Sequence, residues 1–253
     1  MKHVSLSDNN YFYIISYPRS GNTWVVNTLR EYLGAQRAEL VPSVYGGDEL
    51  LINGVLHVKT AGPFSEELPV GIKSHMHRGE FERANLPHNR ILYLLRDVRD
   101  VMTSYYFYIN GFLKKDANRV ENFSASHFQK HLKKRLPEYR DHVNGWLDKY
   151  TGQLFVVRYE DLKSDYIGTL KHVRSFLELE NIASEEEVKH KYVDNFRQQD
   201  NFTTVLQGNN MDFYRKGVVG DWKNYFTDQH IDMVKQSAGN LLVKLGYETG
   251  QDW

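Results

Sequence analysis

No cysteine occurs among the 253 residues. Disulfides, thiolate zinc, iron–sulfur clusters and a cysteine nucleophile are therefore excluded, and the fold stands on packing alone. There is no net charge either: 32 Lys+Arg balance 32 Asp+Glu. That removes the broad cationic face of a general nucleic-acid-coating protein, so an anionic ligand has to be held by a few gathered cations. A long apolar run is also missing. Nothing approaches the roughly 20 consecutive apolar residues that span a bilayer, and the opening MKHVSLSDNN has no apolar leader segment. The expectation is a soluble, cytoplasmic protein without nucleic-acid or membrane partners. Apolar residues at 41% and charged residues at 25% are ordinary globular usage and exclude disordered, collagenous and coiled-coil classes.

Short apolar runs rich in aromatic and β-branched residues lie at Tyr11 to Tyr17, Gly71 to Ser74, Ile91 to Leu95 and Leu154 to Tyr159. With little alternation, they suit a buried parallel sheet. Helical patterns fall between and after them. Thr23 to Leu33 is closed by Gly34, Val98 to Ile109 by Gly111, Ser126 to Tyr150 is interrupted by Pro137, and Asp165 to Leu177 follows the last strand. Ser184 with Glu187 forms a capping box for a helix running towards Phe196, and Thr227 caps a last helix ending near Leu245 and Gly246. Alternating strands and helices predict an α/β fold with a central parallel sheet flanked by helices, residues 1–253 forming a single domain. Two stretches resist this alternation, about 35–70 and about 197–222, and read as long binding loops.

The strongest chemical signal is a strand, then Tyr17-Pro18-Arg19-Ser20-Gly21-Asn22-Thr23-Trp24, then an amphipathic helix. Such a turn presents unpaired backbone N–H groups and the positive end of a helix dipole to a phosphate or sulfate, with Arg19 as a fixed cation. It is not a Walker A loop, because Gly-Lys-[Ser/Thr] is absent. Further along stand Ile72-Lys73-Ser74-His75, then Tyr93-Leu94-Leu95-Arg96-Asp97-Val98-Arg99-Asp100 leading to Ser104, and Arg215-Lys216-Gly217-Val218-Val219-Gly220-Asp221-Trp222-Lys223. Arg96 leaves the carboxyl end of a buried strand, where open parallel sheets bind ligands. Arg215, Lys216 and the Gly217 backbone make a second cationic clamp. Taken singly, Arg96 reads equally as an ion-pair partner of Asp97 or Asp100, and Arg215-Lys216 as a solvated loop.

In order and in content these four segments resemble the cytosolic-type sulfotransferases that use 3′-phosphoadenosine-5′-phosphosulfate (PAPS). The resemblance implies the P-loop-kinase-like sulfotransferase fold and metal-free transfer of a sulfuryl group to a hydroxyl or amine of a small molecule, with 3′,5′-phosphoadenosine (PAP) released. It implies that His75 is the general base, with Lys73 and Arg19 neutralising charge on the transferring group. It also implies that Arg19, Ser20, Gly21, Asn22 and Thr23 cradle the 5′ end of the co-substrate, that Arg96 and Ser104 anchor the 3′-phosphate with Arg215, Lys216 and Gly217, and that Trp24, Tyr159 and Phe196 contact adenine. Those three aromatics equally suit a core. His77 is the neighbouring candidate base, and a His75-His77 metal site lacks a carboxylate set. The family loop carries lysine where Arg19 stands, and Arg supplies charge but no proton. The family's dimer motif is met by Lys223 and Thr227 but has Asp228 and Asp232 in place of Val and Glu, so a homodimer is only partly signalled. Tyr105, Tyr106, Phe107 and Tyr108 either line an acceptor pocket or pack in the core. Other readings are the same chemistry on a glycan or protein, a nucleotide kinase, and a phosphoadenosine-binding module without turnover.

Overall fold

The computed structural model describes residues 2–6, 10–39, 51–52, 55–60, 64–114, 118, 121–194, 216–250 and 252–253, with the backbone alone for 2–5, 51–52, 55–57 and 59. In chain order the elements are β1 (Lys2–Leu6), β2 (Tyr11–Ser16), α1 (Asn22–Leu33), β3 (Gln36–Glu39), β4 (Leu51–Ile52), β5 (Val55–Thr60), β6 (Val70–Ser74), α2 (Arg78–Arg83), β7 (Ile91–Leu95), α3 (Val98–Phe107), α4 (Ala125–Lys149), β8 (Leu154–Arg158), α5 (Tyr159–Ser164), α6 (Tyr166–Leu177), α7 (Glu185–Lys189) and α8 (Asp228–Lys244). The chain divides into two compact units, residues 1–95 with 144–196 and residues 96–143 with 197–253.

The first unit holds the whole sheet, in the order β1-β5-β3-β6-β2-β7-β8 with β4 beside β5. From β3 to β8 the pairing is parallel; β1, β4 and β5 add antiparallel strands at one edge. The two central strands, YFYIIS of β2 and ILYLL of β7, are buried along their full length, which is why they read as unbroken apolar runs. Chain order places β6 on one side of β2 and β7 on the other, so the carboxyl end of β2 is a topological switch point, where α/β sheets bind ligands. Around Phe81 an edge-on aromatic cluster forms with Tyr13 at 5.1 Å and Trp146 at 5.4 Å, and the Trp146 indole N–H donates to the Met76 carbonyl. Contrary to the sequence expectation, about 35–70 is not one long loop. It contains β3, β4 and β5, short strands whose Pro- and Gly-rich surroundings hid them and whose existence rests on pairing: β3 lies between β6 and β5, and β5 also pairs with β1 and β4.

The second unit is helical. α3 does not stop at a Gly111 cap; beyond Phe107 it widens into a π-helical turn, Tyr108–Phe112, closed by the Leu113 N–H on the Tyr108 carbonyl at 2.9 Å. α4 contributes 125–143 here and 144–149 to the first unit. It runs unbroken through Pro137, where an interruption was expected. The carbonyl that Pro137 leaves without a donor belongs to Lys133, an exposed position that water can satisfy. The buried Phe107 and Phe128 join the partly exposed Phe123, Tyr225 and Phe226 in an aromatic cluster, with centroids 4.9 to 5.5 Å apart in successive contacts. Ser184 with Glu187 and Thr227 with His230 close capping boxes at the starts of α7 and α8. The aromatic run splits: Tyr106 and Phe107 are buried, whereas Tyr105 and Tyr108 are partly exposed. No helix among the described residues is long and apolar enough to cross a membrane.

Candidate active site

In the first unit, the loop after β2 is built around two left-handed residues, Arg19 at φ 72° and Gly21 at φ 101°. Gly21 caps α1, and a Cβ there would stand 2.8 Å from Cδ2 of the Tyr159 ring; only glycine meets both demands. Arg19 has no such freedom, and a strained non-glycine residue at a ligand loop points to function. The Asn22 side chain is anchored within the fold through its amide nitrogen. Its Nδ2 donates to Ser16 Oγ at 2.9 Å and reaches the Ile14 and Ser74 carbonyls, clipping α1 to β2 and β6. Ser20 Oγ is buried and makes no hydrogen bond. A buried hydroxyl without a partner costs on the order of 1–3 kcal/mol, and beside the positive end of the α1 dipole it suits an incoming phosphate oxygen.

Lys73 and His75 follow each other on one face of β6 and its extension. His75 Nδ1 lies 2.7 Å from the Ser16 carbonyl. A carbonyl only accepts, so Nδ1 carries the proton and Nε2 keeps its lone pair. Burial, with the Lys73 charge adding to it, pushes the imidazole down to about 4, not the unperturbed 6.5 expected for the base. The ring is therefore neutral across the physiological range. Lys73 is pulled below its ordinary value by burial, with Arg37 and Arg19 adding to this and Glu39 opposing it. His77, by contrast, is the N-cap of α2, tied into a capping box with Glu80. Trp24 is only 2% exposed, donates to the Tyr192 carbonyl at 3.0 Å, stacks on Tyr166 at 5.8 Å and meets the Tyr159 edge at 5.5 Å. It is a core residue that shares a wall with Tyr159. Phe196 lies outside the described residues.

In the second unit, Arg96 follows β7 directly. Its Nη2 donates to the Val218 carbonyl at 3.1 Å and stands 3.8 Å from Asp100 Oδ2. The Asp100 carboxylate accepts from the Gly220 and Trp222 amides at 2.7 and 3.0 Å, so the Arg96 segment and the Gly217 segment are stitched together. Lys216 Nζ bonds Asp221 Oδ1 and the Tyr225 hydroxyl, and Gly217 takes φ 65°. Ser104 is half-buried in the second turn of α3; Arg215 lies outside the described residues. Sequence reading overlooked Ser16, the Arg37–Glu39 pair and the linking role of Asp100. Alternation of Arg37 and Glu39 about the buried Ala38 was the available signal, obscured because the stretch was read as loop. Among the described residues no group of three or more His, Cys, Asp or Glu is arranged to hold a metal ion.

A sulfotransferase domain model matches residues 10–246. The chain belongs to the sulfotransferase family. It is 26% identical over 238 residues to Sulfotransferase 1E1 of Rattus norvegicus, covering 85% of this chain and 77% of that relative. With Sulfotransferase 2A6 of Mus musculus it shares 29% over 234 residues, covering 85% and 78%. Its fold is similar to that of mouse sulfotransferase SULT7A1 complexed with PAP, at TM-score 0.64 and 19% identity over 95% of this chain and 89% of the other. The sulfotransferase is thus an α/β protein with a parallel sheet at its centre, and its activity is sulfuryl transfer.

Proposed function

We propose that this sulfotransferase moves the sulfuryl group of PAPS to a hydroxyl or amine of a small molecule, with His75 as general base. The observation that carries the reading is the His75 tautomer, with Nδ1–H held on the Ser16 carbonyl and Nε2 left as the acceptor. In the transfer the acceptor's lone pair forms a bond to sulfur while the bond from sulfur to the bridging phosphate oxygen breaks. The acceptor's proton goes to Nε2, and PAP leaves. Lys73 and Arg19 take up the charge that gathers on the sulfuryl and bridging oxygens. Arg19 does this as a fixed cation, which suffices because the departing phosphate is a weak base.

Ser20 Oγ and the amides of residues 21–23 take the 5′-phosphosulfate end; Tyr159 and Trp24, with Phe196, form the aromatic side of the adenine subsite. Arg96 and Ser104, with Arg215, Lys216 and Gly217, take the 3′-phosphate. Residues 1–253 work as one sulfotransferase domain, metal-free and cytoplasmic. Support comes from family membership, the buried unpartnered Ser20 hydroxyl and the neutral imidazole. A panel of phenols, alcohols, steroids and amines offered with sulfur-labelled PAPS tests the reading: label should reach a small acceptor in wild-type protein, and its absence from every class of acceptor would refute it.

A further inference from the structure

On β3, Arg37 and Glu39 are two residues apart and so project to the same face of the sheet. Glu39 stands in register with Lys73 on the parallel neighbour β6, and Arg37 with Gly71. The side chains meet accordingly. Arg37 Nη2 donates to Glu39 Oε1 at 2.5 Å, and Lys73 Nζ lies 3.8 Å from the same oxygen. These groups are mostly sheltered, with side-chain exposures of 19% for Arg37, 33% for Glu39 and 16% for Lys73. One carboxylate is thus shared by two cations beside the strand end that carries His75.

We propose that Glu39 is a positioning residue for sulfuryl transfer: gripped by Arg37, its carboxylate holds the Lys73 ammonium in place beside His75. This rests on the reading of Lys73 as the cation that takes up charge on the transferring group. A sheltered ammonium among like charges tends to lose its proton, and neutral Lys73 could not serve that role. The charged and titratable groups acting on it among the described residues are Glu39 and Arg37 from β3, Arg19 from the loop after β2, and His75 on its own strand. Only Glu39 is negative. Burial favours the protonated form of Glu39, yet Lys73 and Arg37 more than reverse this, so it stays ionised at neutral pH. Arg37 then has two opposed effects: it aligns the carboxylate, and its own charge presses on Lys73.

The test is the pH dependence of kcat at saturating PAPS and acceptor for wild type, Glu39→Gln, Arg37→Gln, Lys73→Arg and the Lys73→Arg/Glu39→Gln double variant. In Glu39→Gln the alkaline limb should move down by about one pH unit or more, the scale for losing an opposite charge within 4–6 Å. In Arg37→Gln it should move up. With Arg at position 73 the charge no longer titrates, so Glu39→Gln should leave the limb of that background where it is. A residue that merely supports the strand would lower the melting temperature and leave the limb alone. A folded Glu39→Gln enzyme with the wild-type limb overturns the proposal. Should Glu39→Gln fail to fold, Glu39→Ala takes its place: a limb moved down by about one pH unit or more supports the proposal and a wild-type limb overturns it. The reading of Lys73 itself fails separately, if Lys73→Ala turns over like wild type.

Discussion

His75 shows how much a single side chain owes to its neighbours. A histidine in water is half protonated near pH 6.5, but burial and Lys73 carry this one to about 4, and the Ser16 carbonyl selects the tautomer. His75→Ala should therefore cut kcat by about 10²-fold or more while leaving PAP affinity nearly unchanged, because the proposed role of the ring is to take the acceptor's proton and not to hold the nucleotide. His77→Ala should cost much less in turnover and mainly loosen the start of α2. Steady-state kinetics with calorimetric PAP titration separates these, and an inactive His77→Ala beside an active His75→Ala would reassign the base. The sign of the pH effect follows from the same environment. A depressed histidine stays a base as pH falls, so the acid limb of the free enzyme should lie near 4 and not near 6.5. His75 was singled out in the sequence by the resemblance of Lys73-Ser74-His75 to a family segment. Its tautomer and its basicity were not, because both depend on Ser16 and on burial, which come from a strand 59 residues away.

At the scale of elements, the four central parallel strands and the main helices could be read from apolar runs and caps because each of those signals is local. β3 could not, since its four residues, QRAE, carry a single apolar side chain and form a strand only by pairing with β6 on one side and β5 on the other. The same distinction separates what was foreseen of the Arg96 segment from what was missed. Its arginine and serine stood out, but the device that ties Arg96 to the Gly217 segment is Asp100, whose carboxylate reaches 120 residues along the chain to the Gly220 amide. Both Asp100→Ala and Asp100→Asn bear on this. Alanine leaves the Gly220 and Trp222 amides without their acceptor, and a loss of about 2–4 kcal/mol in urea unfolding is expected, the scale for stranding buried donors that served a charged group. Asparagine keeps one carbonyl oxygen and should cost less. If alanine and asparagine are equally harmless, the stitch between α3 and the 3₁₀ turn Asp221–Asn224 contributes nothing to stability.

At the scale of the whole molecule, stability depends on buried titratable groups, among them His75 and His131, which burial pushes down to about 4, with Lys73 and Arg135 respectively adding to it. Between pH 6.5 and 4 the unfolded chain binds protons that the folded chain refuses, so stability should fall as pH is lowered through that window, by on the order of 3 kcal/mol per ring at full effect, and then stop falling on their account. Glu39, whose value is lowered, adds a loss only below the ordinary carboxylate range. Urea unfolding at pH 7 and 4.5 measures this, and a flat profile would show that the rings are not buried neutral. Ligand-linked stability tests the co-substrate reading at the same scale. A ligand that binds only the folded chain stabilises it by RT ln(1 + [L]/Kd), so the thermal shift reports affinity without needing an acceptor. PAP should stabilise much more than AMP at equal concentration, because the proposed contacts of Arg96, Ser104 and the Lys216–Gly217 turn need a 3′-phosphate. Arg96→Ala should reduce the PAP shift to about that of AMP and leave the AMP shift as it was. The comparison uses the ligand-induced difference and not the melting temperature itself, since removing Arg96 also takes the nearby cation from Asp100 and lowers the baseline. An Arg96→Ala protein that still prefers PAP over AMP as strongly as wild type would move the 3′-phosphate to other residues, and equal wild-type shifts for the two nucleotides would remove the 3′-phosphate subsite altogether.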